Sequence, residues 1–292
     1  MHAPPPRLIR TAELRAHGWS KRDIRVAVAE GRLVRIRPGG YVAPGIPEDF
    51  ADAARLLGRL TGVSALPHLG VFVLESDRLH VNVPPSASRL PALIRPLRLH
   101  RRVLLRSPHP DALIVEPLDA IYDAVMSQSP RAGVATIDSA LHLGVLHLDD
   151  LDELFAALPR RYRRLRRLLD RRAESGPETL VRLMLRSLGY SFDCQVTITG
   201  VGRVDFLVDG WLVVECDSKA HHSSWEAQRN DRRRDLEAAK RGLVTLRLIA
   251  EDILWHQGDV RAALAGVLAA RPASRKHGEQ HLAASTGRAS VA

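Results

Sequence analysis

The hairpin-like segment 203–219 carries charged side chains on strands that are otherwise apolar. Apolar runs flank Asp209-Gly210, a dipeptide that favours a type I′ turn, and they predict two antiparallel strands. Side chains alternate between the faces of a strand, so Glu215, Asp217 and Lys219 are expected on one face. Carboxylates gathered at the buried centre of a sheet usually hold a cation, because they repel one another and are costly to desolvate. A hard divalent ion is the expected ligand of Asp205, Glu215 and Asp217, and Lys219 is expected nearby to offset the charge.

Composition places the chain among globular proteins with an anionic partner. It has 292 residues, of which 45% are hydrophobic and 26% charged, enough for two domains of about 150 residues each. The formal net charge of +10 indicates a polyanion such as nucleic acid, although acidic lipid surfaces attract the same charge.

The two cysteines, Cys194 and Cys216, form no close pairing motif, which favours a reducing cytoplasm over a disulfide framework. No apolar run approaches the ~18 residues that span a bilayer, and the N-terminal stretch lacks the apolar core of a signal peptide. We therefore expect a soluble, cytoplasmic protein with no membrane partner and no small-molecule cofactor.

The N-terminal 48 residues predict a winged-helix DNA-binding domain. A short helix that Thr11 caps is followed by a second helix, which Ser20 and Asp23 begin in the manner of a capping box. A hairpin over 33–43 then forms the wing. In this geometry the second helix faces a DNA groove and the wing faces phosphates, through Lys21, Arg22, Arg25, Arg35 and Arg37. The alternative is a small α+β packing module whose basic residues are merely solvated.

Residues 49–158 predict a middle α+β module that carries no recognised chemical motif. After it, residues 160–172 contain eight arginines around a stripe of Tyr162, Leu165 and Leu169. This pattern predicts a basic helix over 159–172 with a narrow apolar seam. The helix either follows a phosphate backbone or is a solvated linker, and the sequence leaves both open.

Residues 173–270 predict the element order α-β-β-β-α-β, with a helix that begins near Ser175 and a last helix near 259–270. The charged hairpin then lies in the middle of a mixed sheet that helices flank. Residues 271–292 are expected to be a polar, disordered tail. The fold class is therefore a multidomain α/β protein.

This C-terminal region resembles the PD-(D/E)xK, restriction-endonuclease-like nucleases, and most closely their Vsr-like domains. The resemblance implies Mg²⁺ (or Mn²⁺) held by an acid on the first helix and acids on two strands. It also implies a loop histidine and an Arg/Asp-rich helix. The matching positions are Glu178, Asp205, Glu215, Asp217, His221, His222, Arg229, Asp231, Arg233, Arg234 and Asp235. Ser218 replaces a usual glycine, and either Asp217 or Lys219 fills the position of the family's lysine.

Phosphodiester hydrolysis explains why these residue types are needed. Carboxylate-held metal ions lower the pKa of water and act as Lewis acids, which suits Asp205 with Glu215 or Asp217. Lys219 is expected to position the water or to stabilise the pentavalent phosphate. His221 or His222 is expected to act as acid or base, and the arginines at 229, 233 and 234 to contact phosphate. In the alternative, Asp205 and Glu215 form ordinary salt bridges with Arg203 and Arg247, and Glu178 merely favours a helix N-terminus.

Residues 8–45 resemble the winged-helix domain of AbiEi-type antitoxins of type IV toxin–antitoxin systems, with residues 49–158 as an AbiEi-like middle module. This resemblance implies DNA binding, autoregulation of transcription and a cognate toxin as partner. Two functions follow from the sequence: a metal-dependent DNA endonuclease in defence or repair, or an antitoxin-like regulator whose nuclease fold is catalytically silent. An RNA-directed enzyme is a third candidate, against which the aromatic content of 4% argues.

Overall fold

The computed structural model describes residues 5–88, 90–217 and 225–270, without the side chains of residues 226 and 227. The predicted site residues Lys219, His221 and His222 lie outside the described residues, as do Ser218 and the predicted tail 271–292. The described chain is a mixed α/β protein with three small sheets.

The N-terminal region folds as two short helices and a hairpin, as predicted. Its elements are β1 (Ile9–Arg10), α1 (Thr11–Ala16), α2 (Lys21–Ala29), β2 (Val34–Arg37) and β3 (Gly40–Val42). The strands form an antiparallel sheet in the order β1-β3-β2. The capping box of α2 is confirmed, since Ser20 Oγ accepts from the Asp23 amide at 3.2 Å and the Asp23 carboxylate accepts from the Ser20 amide at 2.8 Å. The predicted Thr11 cap is wrong: Arg10 is the N-cap of α1 and makes no side-chain bond there.

The middle module packs helices around a second sheet and a large apolar core. Its elements are α3 (Glu48–Arg55), β4 (Arg59–Leu60), α4 (Gly62–Ala65), β5 (Leu79–Asn82), β6 (Leu97–His100), α5 (Pro117–Ser127), α6 (Pro130–His142) and α7 (Asp150–Ala157). The sheet order is β4-β5-β6, with β5 and β6 parallel. Side chains from α3, the sheet and α5 form its centre, including Phe50, Leu60, Val81 and Ile121.

A buried polar network holds α5 against this sheet. His100 Nε2 lies 3.3 Å from His80 Nδ1, and His100 Nδ1 lies 3.4 Å from a carboxylate oxygen of Asp123. Arg102 donates to Asp123 at 2.8 Å, and the Thr61 hydroxyl donates to the same carboxylate at 2.5 Å. Burial lowers the pKa of His80 to about 4, with the charge of His100 adding to the effect. His80 is therefore neutral at physiological pH, as a core histidine.

The Arg-rich segment is a 3₁₀ helix over Arg160–Leu168 rather than the predicted α-helix. Leu165 is buried, and Tyr162, Leu168 and Leu169 pack against the core of the middle module. Apolar residues three apart share one side of a 3₁₀ helix, because it has three residues per turn. The run Tyr162, Leu165, Leu168 follows that spacing.

The C-terminal region is a four-stranded mixed sheet between helices. Its elements are α8 (Gly176–Leu188), β7 (Phe192–Ile198), β8 (Gly202–Val208), β9 (Leu212–Asp217), α9 (Trp225–Lys240), β10 (Val244–Ile249), α10 (Ala250–Trp255) and α11 (Gln257–Ala269). The order is β10-β9-β8-β7, with β9 and β10 parallel and the other pairs antiparallel. The predicted hairpin is confirmed, and Asp209 and Gly210 have φ of 47° and 73°, as a type I′ turn requires. The prediction missed α10.

A buried ion pair joins the middle module to the C-terminal region. Arg182 on α8 donates to Asp138 on α6 at 2.7 Å and to the Leu168 carbonyl at 2.7 Å. Asp138 also accepts from the Thr179 hydroxyl at 3.1 Å and from the Asp170 amide at 2.8 Å. Both charged side chains are almost fully buried. The pair fixes α8, and with it the first turn that carries Glu178, against α6 and the Arg-rich segment.

Candidate functional site

Three predicted carboxylates from three different elements come together at one end of the C-terminal sheet. Glu178 lies in the first turn of α8, Asp205 on β8 and Glu215 on β9. All three raise the pKa of the buried Cys216 thiol, after burial itself. Cys216 itself lies in the apolar core of the C-terminal region, next to Glu215 on β9.

The start of α8 holds Glu178 in place. The Ser175 hydroxyl donates to Glu178 Oε1 at 2.8 Å, and the Glu174 amide donates to Glu178 Oε2 at 2.9 Å. In return, Ser175 Oγ accepts from the Glu178 amide at 3.3 Å and caps the helix. The carboxylate thus has a cap-like role at the helix N-terminus, and it also faces the sheet.

Gln195 bridges two of the carboxylates and was missed by the sequence analysis. Its Nε2 donates to Glu178 Oε2 at 2.8 Å and to Asp205 Oδ1 at 3.3 Å, while its Oε1 accepts from Arg203 Nε at 2.6 Å. The residue has a φ of 55°, a left-handed conformation that is uncommon outside glycine. An amide between two acids supplies donors without adding charge. No feature of the sequence signals this backbone conformation.

Asp205 connects the two central strands of the site. Its Oδ2 accepts from the Cys216 amide on β9 at 2.7 Å. Burial raises the pKa of Asp205, although the bonds from Cys216 and Gln195 oppose the rise. Burial likewise raises the pKa of Glu178 and of Glu215, and the charge of Asp205 adds to both shifts. The three acids are therefore coupled through Asp205.

The predicted salt bridges form with different partners. Glu215 accepts from Arg234 at 3.0 Å rather than from Arg247, which instead donates to Asp235 at 2.8 Å. Arg203 extends to Glu174 as well as to Gln195, and it makes no direct bond to Asp205.

Arg234 was predicted to contact DNA, but in the structure its guanidinium is bound within the domain. Besides Glu215, it donates to the carbonyls of Val201 at 2.9 Å and Arg203 at 2.6 Å. Arg229 and Arg233 are exposed on α9, and Asp217 is exposed at the end of β9. Of the three predicted DNA contacts on this helix, Arg229 and Arg233 are placed to meet a ligand in solvent.

The metal assignment remains a prediction. Within residues 5–88, 90–217 and 225–270, no three His, Cys, Asp or Glu side chains are grouped so as to hold a metal ion. The donor chemistry nevertheless suits a hard cation, because Asp205, Glu215 and Asp217 offer carboxylate oxygens on the neighbouring strands β8 and β9.

The N-terminal basic residues divide into an exposed set and an inward one. Lys21, Arg22 and Arg25 are exposed on α2, whose Ile24 and Ala27 are buried, and Arg35 is exposed on β2. Arg37 is partly buried, and its guanidinium donates to the Ala54 carbonyl at 3.3 Å. Its predicted phosphate contact therefore competes with a bond to the middle module.

The fold of β1 to β3 defines a winged-helix-like domain. Residues 6–44 match the protein family described as "Transcriptional regulator, AbiEi antitoxin". The chain thus has an AbiEi antitoxin regulator region at its N-terminal end. A search of curated proteins finds no match to the chain. Among the residues that the structure describes, no helix is long and apolar enough to cross a lipid bilayer.

Replacing Asp205 by asparagine should change how stability depends on pH. A carboxyl whose folded-state pKa lies above its unfolded value binds its proton more tightly in the native state, so stability falls as pH rises from the unfolded to the folded pKa. Asp205→Asn removes one such group and reduces the shifts of Glu178 and Glu215. We expect the free energy of unfolding in urea to fall less for the variant than for the parent between about pH 4 and pH 7.

The matched control is Asp193→Asn, which changes an exposed carboxylate on β7 of the same sheet. Its pH profile should run parallel to that of the parent. Parallel profiles for parent and Asp205→Asn would contradict the coupling of the three acids.

Proposed function

We propose that this protein is a DNA-binding transcriptional regulator of the AbiEi antitoxin type. The observation that carries the proposal is the family match over residues 6–44, which spans β1, α1, α2, β2 and β3. A winged helix can bind protein instead of DNA. The basic surface of α2 is therefore the second support for DNA binding. The proposal includes a cognate toxin as a protein partner and autoregulation of transcription.

In this proposal α2 is the recognition helix. It has nine residues and is roughly 14 Å long, and the major groove is about 12 Å wide. Ile24 and Ala27 attach one side of α2 to the domain core, so the opposite side is free to approach DNA. Lys21, Arg22 and Arg25 would meet phosphates and base edges, and Arg35 would meet the backbone beside the wing. We omit Arg37 because of its bond to Ala54.

Neutralising the exposed side of α2 should weaken DNA binding. For Lys21→Gln/Arg22→Gln/Arg25→Gln we expect affinity for duplex DNA to fall by on the order of tenfold or more, because about three phosphate contacts are lost. The measurement is fluorescence anisotropy of a labelled duplex that contains the gene's own upstream region.

The charge-matched control, named the paired-charge variant, is Arg78→Gln/Lys240→Gln/Arg241→Gln. These side chains are exposed or partly exposed and are already bonded to Asp77 or Glu237. Its affinity should stay close to that of the parent. Equal affinities for the α2 variant and this control would refute the proposal.

A metal-dependent DNA endonuclease is the second candidate function, and one observation favours it. Glu178 is buried and Asp205 and Glu215 are partly buried. Burial raises the pKa of each, and the charge of Asp205 adds to the shifts of Glu178 and Glu215. Such a cluster of strained acids is typical of sites that bind ligands. Asp205, Glu215 and Asp217 would hold Mg²⁺ or Mn²⁺, which would supply Lewis-acid activation of water and phosphate. Glu178 and Gln195 would orient Asp205, and Arg229 and Arg233 would contact phosphate oxygens.

Cleavage of supercoiled DNA with Mg²⁺, Mn²⁺ or EDTA tests this candidate. An active nuclease should nick DNA in a metal-dependent manner as the parent and as Asp193→Ala. The nicking rate should fall by at least about 100-fold in Asp205→Ala and in Glu215→Ala, because each removes a charged oxygen ligand. A parent that binds duplex DNA but leaves every DNA substrate intact with both metals would exclude the nuclease and leave the regulator.

A further inference from the structure

The Arg-rich 3₁₀ helix Arg160–Leu168 has an exposure pattern that repeats every three residues. Tyr162, Leu165 and Leu168 turn toward the protein, and Leu165 is only 3% exposed. The two residues before each of them are arginines, and all six arginines are exposed. The segment begins with a bond of 2.9 Å from the Tyr162 amide to the Pro159 carbonyl. It is therefore anchored along one side and cationic on the others.

The 3₁₀ geometry sorts these arginines into two rows. With three residues per turn and a rise of about 2.0 Å per residue, side chains three apart lie above one another, about 6 Å apart along the axis. The first row is Arg160, Arg163 and Arg166, and the second is Arg161, Arg164 and Arg167. An α-helix would have spread the same residues around its surface, because its period is 3.6 residues.

Most of this charge is unneutralised. Among the described residues, Arg166 pairs with Asp152 at 2.5 Å, and the other five arginines of the rows make no ion pair. Two more exposed arginines, Arg131 and Arg186, line an adjoining cavity of about 260 Å³. Like charges packed this closely repel one another, so the apolar row explains how the segment is attached but not why its outer sides are all arginine.

We infer that these two rows bind the phosphate backbone of duplex DNA, as a second contact separate from α2. The inference rests on the proposed DNA-binding function. Arginine suits this partner because its guanidinium bonds phosphate oxygens in a bidentate manner. Each DNA strand carries one phosphate per about 3.4 Å of axis, so arginines about 6 Å apart match roughly every second phosphate. The contact carries no base specificity.

An acidic lipid surface fits these rows less well. Helices that lie on membranes insert an apolar face between the lipids. Here the apolar row of Tyr162, Leu165 and Leu168 is turned into the protein core, which leaves only guanidinium groups outside.

The test compares salt dependence of binding, measured by anisotropy of a labelled duplex of unrelated sequence over a range of KCl concentrations. Each lost phosphate contact flattens the plot of log K against log salt by about 0.9. For Arg161→Gln/Arg164→Gln/Arg167→Gln we expect the slope to decrease by roughly two to three. The charge-retaining Arg161→Lys/Arg164→Lys/Arg167→Lys variant should keep most of the parent slope. The paired-charge variant should match the parent.

The outcomes separate this inference from the proposed function. A glutamine row variant that keeps the slope of the paired-charge variant overturns the inference, while loss of binding in the α2 variant would still support the regulator. An α2 variant that binds like the parent, together with a flattened slope in the row variant, overturns the role of α2 and supports the row contact. An effect on single-stranded RNA with none on the duplex, or a parent that binds neither, overturns the inference.

Discussion

The Asp138–Arg182 ion pair is the constraint on which the positions of the other functional elements depend. A buried pair is stabilising only when further hydrogen bonds satisfy its remaining oxygens and N–H groups. Here Asp138 accepts from Thr179 and Asp170, and Arg182 also donates to the Leu168 carbonyl, while the buried Nε of Arg182 has no hydrogen-bond partner among the described residues. These three groups, together with the ion pair itself, therefore join α6, α8 and the Arg-rich helix. Glu178 lies in the first turn of α8, so the position of the carboxylate site depends on how α8 packs against the middle module.

The basic surfaces and the C-terminal carboxylates differ in whether their charged groups lie in solvent or are partly buried. On α2 and the Arg-rich helix, apolar residues attach one side and leave basic groups in solvent, which favours recognition of a polyanion. At the C-terminal sheet, Asp205 and Glu215 are partly buried, and burial raises their pKa values. Gln195, Arg234 and backbone amides supply donors to them. These bonds stabilise the acids from within the domain.

Residue types and their local spacing were sufficient to predict several features of the fold. The Ser20 capping box and the Asp209-Gly210 turn follow from local residue types and spacing, and the structure contains them. The joint role of Glu178, Asp205 and Glu215 stays a prediction. Long-range partners were not predictable, because Arg234 takes the contact with Glu215 that was predicted for Arg247 only once α9 packs on the sheet, and Arg247 then bonds Asp235. The bridging amide of Gln195 depends on a left-handed backbone that no residue type signals. In the Arg-rich segment, Leu168 fits the three-residue period of a 3₁₀ helix and Leu169 fits the 3.6-residue period of an α-helix. The sequence therefore allowed both forms, and tertiary packing selected the 3₁₀ helix.

Native-state hydrogen exchange of α6 and α8, in the parent and in Asp138→Ala, tests most directly whether this ion pair makes them one unit. In the parent, amides of both helices should exchange with the same free energy of opening, as members of one cooperative unit do. Removal of Asp138 leaves a buried, unpaired Arg182 and should lower that free energy by about 3–5 kcal/mol in both helices together. Loss of protection in α8 alone, with α6 unchanged, would contradict a shared unit and would separate the candidate site from the middle module.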